Sequence, residues 1–242
     1  MDVIEVKNLK KYFSSTKAVD DISFEIAKGE IFGFLGPNGS GKTTTLRMLA
    51  TILRPTEGEI IILQKNLRNN IYKVKKEIGY IPQKEALYPD LTVKENLEFF
   101  NIGYDLSREL MEKKIQEALR LLKLDAKSNM LARTLSGGFL KRLSIAVELV
   151  HNPEVLICDE ITVGLDPVSR HDIWEVLKKL KKHSTIIFTT HYLEEAEELC
   201  DRVALMSGGR ILCIGKPREI ADNFKAKNLN HVFAKLAGGE IN

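Results

Sequence analysis

Gly36, Pro37, Asn38, Gly39, Ser40, Gly41, Lys42 and Thr43 fill the pattern GxxxxGK[ST] at every fixed position. Each position has a chemical reason. The glycines let the backbone wrap tightly, so that successive N–H groups point at phosphate oxygens. A helix opening near Lys42 adds the positive end of its dipole. Lys42 supplies a mobile positive charge for the β- and γ-phosphates of a nucleoside triphosphate. The Thr43 hydroxyl can ligate magnesium, and Thr44 completes the phosphate-binding turn. A second pair of groups lies far along the chain, where Val155-Leu-Ile-Cys158 delivers Asp159 and Glu160 to the end of a buried strand. One carboxylate there can hold magnesium and the next can polarise an attacking water. Successive strand residues pointing in opposite directions would divide the two roles. Alone, an apolar run followed by Asp-Glu is weak evidence; the phosphate loop upstream gives it meaning.

These residues need elements to hold them. Ile31-Phe-Gly-Phe-Leu35 is a nearly continuous apolar strand leading into the Gly-rich loop, and Leu46, Leu49 and Leu53 mark the helix after it, ended by Pro55. Ile22, Phe24 and Ile26 alternate with polar or small residues, as do Ile4 and Val6, so the first third reads mostly as strands. Ile78-Gly-Tyr-Ile81 is a short strand stopped by Pro82. Residues 84–150 contain no convincing strand: Thr92 and Glu95 fit a capping box, Ile115, Leu119 and Leu122 share one helix face, and a further helix begins near Ser136. This stretch reads as a helical lobe inserted into an α/β core of about 1–83 and 151–215. The core resumes with Asp166-Pro167 opening a helix, Thr185–Thr189 as a strand, Glu194–Leu199 as a helix, Val203–Met206 as a strand and a Gly208-Gly209 hairpin turn. Strands alternating with helices imply a mainly parallel sheet, here with a small antiparallel part. Residues 216–242 form a short tail of undefined shape.

Composition narrows the classes. A formal net charge of +3, with 29% charged residues, makes no demand for nucleic acid as a partner. Three widely spaced cysteines without a CxxC pair fit a reducing compartment and no metal cluster. The start lacks the pattern of a signal peptide, and no apolar run approaches the ~18–20 residues needed to span a bilayer. A role at a membrane therefore needs a separate partner.

Leu135-Ser-Gly-Gly-Phe139, lying between the phosphate loop and Asp159-Glu160, resembles the LSGGQ signature of ABC ATPases. The resemblance runs from about residue 3 to 215. It implies a P-loop NTPase core with an inserted helical lobe, ATP and magnesium as cofactors, and ATP hydrolysis as the activity. By position, Gln83 is similar to the Q-loop glutamine, a magnesium contact. Asp166 is similar to the D-loop aspartate at the dimer interface, and His191 to the switch histidine on the γ-phosphate. Ser136, Gly137 and Gly138 match the signature residues that contact phosphate. Phe13, preferred to Tyr12 by its spacing to Val19, falls where the family stacks an aromatic on adenine. In isolation Gln83 and His191 would read as surface or packing residues and Phe13 as core.

Two residues depart from the family pattern: Phe139 replaces glutamine, and Ile161 replaces the proline after the catalytic glutamate. The resemblance implies a second cassette paired head to tail, an integral membrane transporter subunit, and a cytoplasmic location on the inner face of the membrane through that partner. Thr162–Pro167, the short tail and Asn230–Gly238 resemble the exporter branch. The competing reading is a soluble single-cassette ABC ATPase, acting in assembly or repair without a membrane partner.

Overall fold

The computed structural model describes residues 2–238. The chain opens with an antiparallel pair, β1 (Asp2–Phe13) and β2 (Thr16–Ala27), followed by β3 (Ile31–Leu35), α1 (Lys42–Leu49), β4 (Glu57–Ile62), β5 (Lys65–Asn66), α2 (Leu67–Lys75) and β6 (Ile78–Ile81). Three helices follow: α3 (Val93–Asn101), α4 (Arg108–Leu121) and α5 (Gly137–Leu149). Then come β7 (Val155–Asp159), α6 (Pro167–Leu180), β8 (Thr185–Thr190), α7 (Leu193–Leu199), β9 (Arg202–Ser207), β10 (Arg210–Gly215), α8 (Pro217–Asn223) and α9 (Leu229–Gly238).

Two sheets form. An antiparallel one has the order β2-β1-β4-β5, and the other has the order β10-β9-β3-β8-β7-β6. In the second sheet only β9 and β10 run antiparallel. Every residue of β3, β7 and β8 is buried, which explains why these strands read as continuous apolar runs rather than alternating ones. β2 shows the other pattern: Ile22, Phe24 and Ile26 are buried while Asp21, Ser23 and Glu25 are exposed. Phe24, Phe32 and Phe34 join the two sheets through edge-on contacts at 5.2 Å and a stacked pair at 6.0 Å. The other face of the parallel sheet packs on a core built from α3 to α6 through Leu97, Leu119, Leu143, Ile145 and Ile173.

The strand order positions the site. β3 lies beside β8, and β8 beside β7, with Leu35 opposite Thr190 and Asp159 opposite Thr189. The carboxyl ends of these neighbouring parallel strands therefore bring the loop after Leu35, the residue after Thr190 and the Asp159-Glu160 pair to one edge. That edge is where open α/β sheets bind ligands.

Several local expectations change. α1 stops at Leu49, and Thr51 adopts a left-handed backbone (φ 61°), so Leu53 lies beyond the helix. The first third also contains α2, which the strand-rich reading passed over; it is opened by the Asn66 side chain accepting from the Arg68 N–H. In residues 84–150 the capping box at Thr92 and Glu95 is present. The sole β feature among the described residues there is an isolated bridge between Thr92 and Leu131. The tail is ordered as α8 and α9, whose Ile220, Ala221, Leu229 and Val232 cover Leu35, Val203 and Leu205; residues 239–242 of that tail lie outside the described residues.

Candidate active site

The phosphate loop folds as its glycines demand. A β-carbon on Gly36 would fall 2.2 Å from the Met206 carbonyl oxygen. One on Gly41, at φ 104°, would fall 2.6 Å from that of Ala18. Both positions are glycine because the loop presses on neighbouring backbone. The β9–β10 turn supports it from behind, the Gly209 N–H donating to the Ser40 carbonyl at 3.1 Å and the Asp20 N–H to that of Gly209 at 2.8 Å. Lys42 is buried, and its ammonium donates to the carbonyls of Gly36 at 2.7 Å and Pro37 at 3.1 Å. Burial pulls its pKa down, while the negative charges of Glu160 and Asp159 oppose that shift. The ammonium is thus held in a place where its charge is costly until an anion meets it. The Ser40 hydroxyl is buried without a hydrogen-bond partner among the described residues.

The cleft over this loop has a volume of about 360 Å³. Phe13, Lys17 and Ala18 line one side, Asn38 to Thr44 the floor, and Glu160 the inner end. Phe13 is 47% exposed, so it is no core residue. Lys11 Nζ lies 5.0 Å from its ring centre. Tyr12 turns away, its hydroxyl donating to Asp20 Oδ1 at 3.2 Å, which leaves Phe13 as the aromatic at the cleft.

At the inner end the carboxylates are held differently from the strand-alternation expectation. β7 ends at Asp159, and Glu160 takes a left-handed backbone (φ 48°) instead of continuing the strand. That turn, not strand alternation, separates the two carboxylates. A non-glycine residue there is strained, as residues at working sites often are. The strain is held by Thr189, whose hydroxyl accepts from the Glu160 N–H at 3.0 Å and donates to Asp159 Oδ1 at 2.7 Å. Thr43 donates to the same Asp159 oxygen at 3.0 Å. Gln83 places its amide nitrogen 2.8 Å from Glu160 Oε2. His191 Nδ1 lies 3.8 Å from Glu160 Oε1, on a ring that is 40% exposed.

Lysine 141 escaped the sequence reading. Lys141 is buried on α5, donates to the Gln83 carbonyl at 2.9 Å and pairs with Glu85 at 2.8 Å, so it fixes the backbone that carries Gln83. A lysine on a helix gives no signal of this. Thr189 did give one, as a hydroxyl residue ending a strand beside the acidic pair.

The structure does not bring every sequence candidate to this cleft. Ser136 N-caps α5 without a side-chain cap bond, and Ser136 and Gly137 are exposed. Gly138 approaches α6, where a β-carbon on it would fall 2.7 Å from Ser169 Oγ. Asp166 caps α6, accepting from the N–H groups of Val168 and Ser169 at 3.0 Å each. None of these four residues lines the cleft. Ile161, the other departure, is buried in the core shared by α3 to α6.

Such a fold and cleft define a P-loop nucleoside-triphosphatase built as an ATP-binding cassette. The ABC transporter family model matches residues 19–163, and the chain belongs to that family. It is similar to the Nod factor export ATP-binding protein I of Ralstonia nicotianae, 40% identical over 90% of this chain and 68% of the relative. It is also similar to the linearmycin resistance ATP-binding protein LnrL of Bacillus subtilis, 39% identical over 90% of this chain and 70% of that one. A solved ATP-binding subunit of an ABC transporter superposes with a TM-score of 0.88 over 97% of this chain and 99% of its own, at 28% identity. A dimeric ATP-binding cassette in a post-hydrolysis state, bound to ADP and Pi, superposes with a TM-score of 0.78 over 88% of this chain and 98% of its own, at 29% identity. The protein is accordingly an ATPase and the ATP-binding subunit of a transporter.

Proposed function

We propose that the chain drives export by pairing head to tail with a second cassette, identical or not, around ATP, and that a membrane-embedded subunit reads the resulting motion. The observation that carries pairing is the split site: Ser136 and Gly137 are exposed at the start of α5, outside their own cleft. An exposed helix start with its amides free is suited to a phosphate supplied by another chain. In this arrangement the lobe of about 1–83 and 151–215 holds nucleotide, residues 84–150 present the signature, and α8 and α9 of the tail cover one side of the core. Export is supported by the Nod factor export and linearmycin resistance relatives.

Within the site, Lys42 and the loop amides bind the β- and γ-phosphates and Phe13 stacks on adenine. Glu160 orients and deprotonates the attacking water, and His191 reaches the γ-phosphate. Magnesium fits the donors present. Thr43 and Asp159 converge within 3.0 Å as hydroxyl and carboxylate oxygens. No cluster of three His, Cys, Asp or Glu side chains among the described residues offers a complete cage. Magnesium typically takes one or two protein oxygens and completes its shell with phosphates and water. It would neutralise charge on the triphosphate, with Thr43, Asp159 and the Gln83 side chain as its protein contacts. Gln83 would have to leave Glu160 to serve, which suits a residue that responds to nucleotide.

Phe13→Ala is expected to weaken ATP by about fivefold or more, since stacking a base on an aromatic is worth ~1–3 kcal/mol. Because the ring is half exposed, the melting temperature should hardly move. A large drop in melting temperature with unchanged affinity in a nucleotide titration would remove Phe13 from the site.

No helix among the described residues is long and apolar enough to cross a membrane, so a cytoplasmic position at the inner face of the membrane rests on the partner. Co-purification from detergent extracts tests this. A multi-spanning protein recovered with the chain is expected; recovery with soluble assembly or repair factors alone would favour the soluble reading.

A further inference from the structure

Phe139 stands where the family signature has glutamine, and its ring is engaged by two cations. Lys127 Nζ lies 4.5 Å and Arg142 Cζ 5.2 Å from the ring centre. Both fall inside the ~6 Å over which a cation is drawn to an aromatic face. The rest of the ring packs against the helical core.

Arg142 is anchored rather than loose. One terminal nitrogen donates to Asp172 Oδ2 at 2.6 Å and the other to the Leu122 carbonyl at 3.4 Å. Asp172 also receives Lys123 Nζ at 2.9 Å. The Lys123 hydrogen bond and the Arg142 guanidinium hold its carboxyl below the usual range, so the anchor stays charged. Asp172 belongs to α6, the helix capped by Asp166, and Ser169 of that helix is the residue Gly138 approaches. The start of α5 is therefore tied to α6 at two levels, through Gly138 against Ser169 and, one turn on, through Arg142 and Asp172.

We propose that Phe139 is a positioning residue: its ring, gripped by Lys127 of the preceding segment and by Arg142 one turn on in α5, braces the signature turn against that segment while Arg142 ties the same helix to α6, so that Ser136 and Asp166 meet the partner cassette as one rigid unit. Glutamine has no ring face to offer these cations, and leucine could fill the volume without attracting them. The Arg142–Asp172 pair does not involve residue 139. What the ring adds is a brace between the Lys127 segment and Arg142 across the first turn of α5. A preorganised turn loses less freedom on pairing, so the gain falls on ATP-driven association and on KM more than on the chemical step. The proposal rests on the head-to-tail pairing argued above.

The test uses the full chain. Dimer dissociation constants are measured by sedimentation with ATP and magnesium in a Glu160→Gln background, and kcat and KM for ATP in chains that retain Glu160. Phe139→Leu is expected to weaken the dimer about fivefold and raise KM in parallel, with kcat changing less than about twofold, the size expected of a partly exposed cation–π contact. Phe139→Tyr, which keeps the ring, should recover most of the loss. Lys127→Met removes one cation without touching the signature helix and should weaken the dimer about threefold. Parent-like association in Phe139→Leu or in Lys127→Met, or a tyrosine variant no better than leucine, would overturn the clamp. If the Glu160→Gln chain with Phe139 intact stays monomeric, the pairing itself fails and the clamp falls with it.

Discussion

Lys42→Ala is expected to weaken ATP binding by about 30-fold or more while leaving the nucleotide-free protein at or above parental stability. Both halves follow from one geometry. The ammonium is buried against two carbonyls of its own loop, and desolvation is the leading influence on its proton affinity. A buried cation of this kind is an expense in the free protein and a strong partner only for the arriving phosphates. Removing one member of a buried charge pair typically costs 2–5 kcal/mol, which at ~1.4 kcal/mol per decade is from about 30-fold to several thousand-fold in affinity. The neighbouring amides supply dipoles and cannot replace a full charge. Calorimetric titration with ATP and a thermal melt without it check both halves. Near-parental affinity would refute the role of Lys42, and a collapse of the nucleotide-free melt would mean that it mainly supports the fold.

Glu160→Gln should keep ATP binding and lose turnover by a factor of about 10²–10⁴, the usual contribution of a positioned general base. The substitution is nearly isosteric. The left-handed backbone at φ 48° and the N–H bond to Thr189 are unaffected by the side-chain change. The Gln83 amide, 2.8 Å from Oε2 in the parent, can bond to the new carbonyl oxygen. What disappears is the negative charge proposed to orient and deprotonate water. Phosphate release measured under saturating ATP decides it, and turnover at the parental rate would move the base elsewhere.

The sequence carried the parts of this site that are local. The loop from Gly36 to Thr43 is one continuous segment, with motif, preceding strand and following helix all within reach of a reader. The Asp166 cap and the Thr92–Glu95 box were legible for the same reason: their bonds close within three residues. The rest depends on which strands become neighbours. That β8 lies between β3 and β7, putting Thr189 against Asp159 and His191 near Glu160, follows from chain crossovers that leave no mark in any short window. Glu160 departs from strand alternation because β7 ends one residue before it. α2 and α8 were passed over although each left a trace, an Asn66 cap and a proline after Lys216. Polar residues diluted their periodicity. α9 gained its meaning only when Leu229 and Val232 met the sheet.

In the proposed pairing, ATP joins two of these chains through the signature of one and the phosphate loop of the other. The most direct measurement is light scattering on Glu160→Gln at tens of micromolar, with and without ATP and magnesium. The substitution removes one negative charge per site from the closed interface and blocks the hydrolysis that would reopen it, so a dimer should accumulate with ATP and disperse without it. Adding Ser136→Arg, which would put a bulky cationic side chain where the partner's γ-phosphate belongs, should return the chain to monomer while Lys42 still binds nucleotide. If an obligate second cassette is needed, the same mass shift is expected once that chain is supplied. A Glu160→Gln chain that binds ATP yet stays monomeric with every cassette it co-purifies with, or a dimer indifferent to Ser136→Arg, would contradict the account.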